Sequence, residues 1–292
     1  MTRAHALLGA RVGFVLLIVG FTWWGFDGRW SEIGGAVAET DPARLAAALL
    51  CAFVGLSLTG VLWRMLLSAL GSRVELRHAG AVFFLGQLGK YVPGSVWTFA
   101  VQAQLGRRHG VPARSSMTAS ALFLMLHTFT GLTLGGLLAA GGAVHTDLAA
   151  GRWLLLATIG AVALTPPVLR SLGDRLAGAG VRTTFGGGDL ARSLALMTGV
   201  WGCYGTCLWL LVPLAHPEPK DVLAAVAAFA LAHAAGVLLI LAPAGLGARE
   251  AVLIALLSPA VGVPSAAAAA LLARVVHTVA DFLLAAAAAG WA

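Results

Sequence analysis

Apolar runs of about 20 residues recur along this chain between short basic loops, and a helix needs about that length to cross a bilayer. The runs fall near residues 12–26, 44–67, 76–106, 116–143, 153–172, 193–213, 221–258 and 265–290. Six are predicted to be plain spans. Composition leaves little alternative, because only 11% of the 292 residues are charged and 59% are hydrophobic. A soluble domain carries about a quarter charged residues. The N-terminal run also invites a signal-peptide reading, with Arg3 and Arg11 near its start and Ala36-Val37-Ala38 as a small-residue site. That site lies well beyond the end of the run, so an uncleaved first span is expected.

Two runs are interrupted. Residues 76–106 contain Gly86, Gly89 and then Lys90-Tyr91-Val92-Pro93-Gly94, and residues 221–258 contain Pro243-Ala244-Gly245-Leu246-Gly247. Proline removes a backbone donor and glycine weakens a helix, so the backbone opens at both points. Open backbone at membrane depth survives only inside protein or beside a water-filled cavity. Each run is therefore expected to be a re-entrant hairpin, with a kinked full span as the alternative.

The distribution of basic residues tests the layout. Six spans and two hairpins put Arg3, Arg11, Arg64, Arg73, Arg77, Arg107, Arg108, Arg114, Arg170, Arg175, Arg182 and Arg192 on one side, and only Arg29, Arg44, Arg152 and Lys220 on the other. Twelve against four orients the chain with both termini cytoplasmic. Kinked full spans would carry Arg107, Arg108 and Arg114 outside. The expected fold is all-α and polytopic, one transmembrane domain over residues 1–292. The order span, span, broken hairpin, span occurs twice, in pseudo-repeats of about 1–148 and 149–292. Three crossings per half invert the second relative to the first, a plan shared by many transporters. The net charge of +7 is thus topogenic, and no nucleic-acid partner is expected.

Charges inside a membrane are costly and usually functional. Five are expected there: Lys90, Arg249, Glu250, Arg274 and Asp281. Lys90 and Arg249–Glu250 stand at the two breaks. Arg274 and Asp281 lie seven residues apart, hence on one helix face, with His277 between them. Arg274 falls mid-span, and a polar cavity with Glu250 or Asp281 as its partner is expected. Such a cavity suits an anionic group, helped by helix N-termini near Ser95–Val96 and Ala248–Arg249. Tyr91 and Trp97 flank the first break, as interfacial anchors or as substrate contacts. His127 and His233 read as packing residues. Cys51, Cys203 and Cys207 read as small packing residues too, and no spacing suggests a metal site or another cofactor. Gly131-xxx-Gly135 and Ala266–Ala270 read as close helix packing.

At Gly89-Lys90-Tyr91-Val92-Pro93-Gly94-Ser95-Val96-Trp97 and at Pro243-Ala244-Gly245-Leu246-Gly247-Ala248-Arg249-Glu250, followed by Arg274, the chain resembles the lysylphosphatidylglycerol synthase transmembrane-region family of flippase-like proteins. The resemblance covers nearly the whole chain. It implies a module similar to the flippase half of multiple peptide resistance factor proteins, which moves aminoacylated phosphatidylglycerol between leaflets. Other relatives are associated with polyprenyl-phosphate-linked sugars. By that resemblance Lys90, Pro93, Gly94, Arg249, Glu250 and Arg274 line a headgroup path. Residues and resemblance together extend the candidate substrate-binding set to Tyr91, Trp97, Pro243, Gly245, Gly247 and Asp281.

No aminoacyl-transferase domain is recognised in the chain, so lipid synthesis is not expected of it, and neither is any other enzyme activity. The expected function is transport of an anionic, aminoacylated or polyprenyl-phosphate lipid headgroup across the plasma (inner) membrane. The alternatives are a non-transporting partner of a cell-envelope glycosyltransferase and a small-anion transporter. Besides the lipid substrate, a cell-envelope enzyme partner and a homodimer are left open.

Overall fold

The computed structural model describes residues 38–92, 96–146, 148–178, 184–214, 218–238 and 247–291, together with Gly13, Leu16, Gly20, Ser31 and Gly35. The first expected span, 12–26, lies largely outside the described residues, as do Pro93, Gly94, Pro243 and Gly245. The described residues are helical between turns and loops, and the chain is an all-α polytopic membrane protein. Five described helices are long and apolar enough to cross a bilayer, or six if one bent pair is counted as a single span.

Helix α1 spans Pro42–Ala69. Its start is written locally: Pro42 has no amide to satisfy in the first turn, and the Asp41 side chain accepts the Ala43 N–H at 2.9 Å. Helices α2 (Leu76–Gln87) and α3 (Trp97–Arg108) form the first hairpin, with a 3-10 turn at Leu88–Tyr91 extending α2. Twelve residues each give rises of about 18 Å, short of the hydrocarbon thickness of about 30 Å. The two arms run antiparallel. Gly89 faces Trp97 and Thr98, Gly86 faces Gln102, and the Gln102 amide reaches Phe83 O at 3.4 Å. Contacts that move up one arm as they move down the other define a return, not a kinked crossing. Gly89 is obligatory for the approach, since a Cβ there would lie 2.6 Å from Thr98 N.

Helix α4 (Ala113–Ala140) crosses next and is followed by α5 (Ala150–Ala163) and α6 (Pro166–Ala177). The plain span expected over 153–172 is instead bent by 53° between these two helices. The cause is Pro166-Pro167: proline supplies no N–H and pushes the preceding Thr165 to extended backbone, at φ −63° and ψ 142°. Beyond the bend α6 is amphipathic, burying Leu169, Gly173 and Ala177 and exposing Arg170, Asp174 and Arg175.

Helix α7 (Gly187–Leu211) packs along α1, and α8 (Pro219–Leu238) packs against α4 and α7. Gly131 and Gly135 make the α4–α8 approach possible, with Ala230 and Ala227 carbonyls beside them. Helix α9 (Ala248–Val261) then folds back on α8, placing Arg249 over Phe229, while Leu256 lines a second cavity together with Leu223 and Ala224. This is again an antiparallel return. The first arm of this second hairpin, at 20 residues, is long enough to span. Because α9 runs back beside it, the side of the membrane on which the last helix begins does not depend on how deep this arm reaches. Gly262, at φ 78°, ends α9 and launches α10 (Val263–Ala289). Helix α10 touches α1, α2, α7, α9 and the 3-10 turn. Its small face (Ala266, Ala269, Ala270, Ala273) is buried, as expected for close packing.

Candidate functional site

The two hairpins bring their broken ends to α10. Lys90, in the 3-10 turn of the first, places Nζ 2.6 Å from Asp281 Oδ2. Tyr91 donates its hydroxyl to the same oxygen at 2.7 Å, with Thr278 Oγ1 3.3 Å from that hydroxyl. From the second hairpin, Glu250 Oε1 accepts from Arg274 Nη1 at 2.5 Å. Its Oε2 reaches back to the Gly247 N–H at 2.8 Å. Glu250, Arg274 and Asp281 are 6%, 8% and 5% exposed, so both carboxylates are inside the protein. Buried ions persist only when paired and hydrogen-bonded. Of the two partners expected for Arg274, the structure selects Glu250, and Asp281 pairs with Lys90.

A cavity of about 330 Å³ lies among these groups, lined by Lys90, Tyr91, Arg249, Arg274, Thr278 and Asp281 and by residues of α1, α4, α7 and α8. Its depth is set by register: Arg274, His127 and Tyr204 each lie well inside their helices of 27, 28 and 25 residues. Among the described residues three cations meet two carboxylates here, and Arg249 is the one outside a salt bridge. Its guanidinium carbon sits 4.3 Å from the Phe229 ring centroid, a cation–π contact, and its Nη2 is buried without a protein hydrogen-bond partner among the described residues.

Three sequence expectations need correction. Trp97 is 43% exposed at the start of α3 and does not line the cavity, because the return of the hairpin turns this first residue outward. Gly247 is likewise exposed and serves as a positive-φ helix start, not as a cavity wall. The N–H that it offers is taken by the Glu250 side chain at 2.8 Å. His127 and His233, expected as packing residues, also face the site. They stack on each other at 4.2 Å and line the cavity.

Sequence reasoning also missed Gln102. It is fully buried, its Oε1 lies 2.5 Å from Ser120 Oγ, and Ser120 accepts the Trp63 indole N–H at 3.0 Å. This chain of bonds fixes the returning arm of the first hairpin to α4 and α1. An amide in the middle of an apolar arm was the available signal.

Long apolar helices with two returning hairpins and paired charges enclosed among them define a polytopic membrane protein with a polar centre. The chain belongs to the family described as Lysylphosphatidylglycerol synthase TM region, which it matches over residues 10–285. It is therefore a membrane protein related to lipid modification. No curated protein matches the sequence.

Proposed function

We propose that this protein is a flippase-like lipid transporter that carries an anionic headgroup through the cavity between its hairpins while the acyl or prenyl tails stay in the bilayer. It acts without enzymatic chemistry, in a plasma (inner) membrane with both termini cytoplasmic. The observation that carries the reading is the surplus charge at the centre: Lys90 and Arg274 are held by carboxylates, whereas Arg249 lines the same cavity with a nitrogen that no described protein group satisfies. A phosphate is the complement of a guanidinium fork. Two half-bundles related by inversion, each with one hairpin, would allow alternating exposure of that cavity to the two leaflets.

Fluorescent-lipid translocation in proteoliposomes tests this, comparing phosphatidylglycerol, lysyl-phosphatidylglycerol and a polyprenyl-phosphate analogue. Wild type should move at least one of them, and Arg249→Gln should lose most of that movement while Trp97→Phe keeps it. No movement of any lipid by folded protein would defeat the proposal in favour of a partner protein or a small-anion carrier. Cysteines introduced in a Cys-free background test the orientation: Ser72→Cys and Ser171→Cys should label from the cytoplasmic side and Thr146→Cys from the opposite side.

A further inference from the structure

Helix α6 lies outside the central cavity and carries chemistry of its own. At 3.6 residues per turn its side chains fall into stripes four residues apart. Leu169, Gly173 and Ala177 form the buried stripe, packed toward α4. Next to it run Val168, Leu172 and Leu176, an apolar stripe that the bundle leaves uncovered, with Val168 38% and Leu176 43% exposed. Then come Pro167, Ser171 and Arg175, and after them Arg170 and Asp174, all exposed. A surface helix in a single solvent needs one inward and one outward face. This helix has an inward face, an apolar outward face and a polar outward face. That is the pattern of a helix with protein on one side, acyl chains on the second and water on the third.

The charges stand where the two outward faces meet. Arg175, in the last turn, belongs to the stripe that borders Val168 and Leu176. The Arg114 guanidinium, from the first turn of α4, lies against Gly178, one turn beyond Arg175. Both arginines are exposed, and among the described residues neither is in an ion pair. Asp174, the one carboxylate of the helix, is on the stripe of Arg170, away from the apolar one. Arg170 is itself tethered, donating from Nε to the Phe185 carbonyl at 2.8 Å.

An apolar stripe edged by guanidiniums is complementary to an amphiphile with hydrocarbon on one side and negative charge on the other. A soluble acidic partner would satisfy the arginines and leave Val168 and Leu176 bare. The neighbouring α5 turns Leu154, Leu155, Ile159 and Val162 outward, so hydrocarbon already covers this flank. We propose that α6 is an interfacial contact site for anionic phospholipid, with its Val168–Leu176 stripe laid on the acyl chains and Arg175 and Arg114 holding the phosphate of a net-negative headgroup. The site does not depend on transport through the cavity.

Bimane attached to Leu176→Cys in a Cys-free full chain, reconstituted in phosphatidylcholine vesicles, reads the lipid at this stripe. Bimane on Leu155→Cys of α5 is the control for unselective surrounding lipid. The quenchers are brominated phosphatidylglycerol and brominated phosphatidylcholine, which share acyl chains and differ in net charge. At Leu176 the anionic lipid should be favoured by at least about fivefold, the scale of one arginine at a charged leaflet, and at Leu155 the two should quench alike. Arg114→Gln with Arg175→Gln should bring the Leu176 ratio to about one, whereas Arg114→Lys with Arg175→Lys should keep the preference. Arg249→Gln should leave it unchanged, and its loss there would overturn the assignment to α6. Equal quenching by the two lipids in the parent protein overturns the proposal, as does a preference that survives both glutamine changes. Bromines near the headgroup should quench more than bromines at the chain ends. The reverse order would put α6 within the hydrocarbon and overturn its interfacial placement.

Discussion

The Arg274–Glu250 bond joins α9 to α10 at the centre of the bundle, and its removal should show how much of the fold depends on charge. Both side chains are buried, the contact is 2.5 Å, and Glu250 holds a second bond to its own helix start. Breaking such a pair from one side leaves an uncompensated buried ion and costs about 3–5 kcal/mol. Arg274→Met and Glu250→Leu alone should each fall in that range, a loss of a hundredfold or more in the folding equilibrium at about 1.4 kcal/mol per decade. The double variant replaces the pair with apolar groups and should cost less than either single change, because no ion is stranded. Unfolding in mixed micelles, followed by tryptophan fluorescence, gives the three free energies and their coupling. If the double variant lost the sum of the two singles, the residues would act independently and the assignment of this pair as the joint between α9 and α10 would be wrong.

The same geometry leads to three further outcomes. Gly89→Ala should separate the arms of the first hairpin, because its Cβ would meet the Thr98 backbone, and accelerated hydrogen exchange in α3 would report it. His78 and His109 stack at 4.4 Å at the open end of that hairpin, and burial, then His78 and Arg108, hold the His109 pKa below its ordinary value. The unfolded histidine therefore binds its proton first as pH falls below about 6.5, so the stability that this group contributes is present above that pH and declines toward its lower folded pKa. Exchange near residues 105–111 should rise on acidification, and His109→Phe, which keeps the stack, should remove the dependence. Gln102→Leu should loosen the attachment of the first hairpin to α4 by about 1 kcal/mol, removing its bonds to Ser120 and to the Phe83 carbonyl, as thermal unfolding would show.

What was legible in the sequence was whatever rests on local chemistry and on charge. The Pro/Gly breaks, the small-residue approach of Gly131 and Gly135, and the confinement of Lys90, Glu250, Arg274 and Asp281 all stem from backbone donors and the cost of burying ions. Pairing was only half legible. Seven-residue spacing puts Arg274 and Asp281 on one face, but which hairpin reaches each of them is a matter of helix placement. The histidine stack was invisible for the same reason, since His127 and His233 come from α4 and α8 and meet only in the folded bundle. The bend after α5 was signalled by Pro166-Pro167 and was overridden by the continuous apolar run on either side.

That bend has a consequence for the surrounding lipid. Helix α5 has 14 residues, which is about 21 Å of rise, and it presents Leu154, Leu155, Ile159 and Val162 outward. The hydrocarbon beside it is about 30 Å thick, so this flank of the bundle is mismatched with its solvent. The amphipathic α6, turned 53° from α5, is expected to resolve the mismatch by leaning toward the interface and drawing the headgroup layer inward. On this flank the bilayer is expected to be locally thin, and a headgroup crossing near it would meet a lower dielectric barrier than in bulk lipid. Reconstitution in lipids of graded chain length would expose the effect as a fall in thermal stability toward the thicker bilayers.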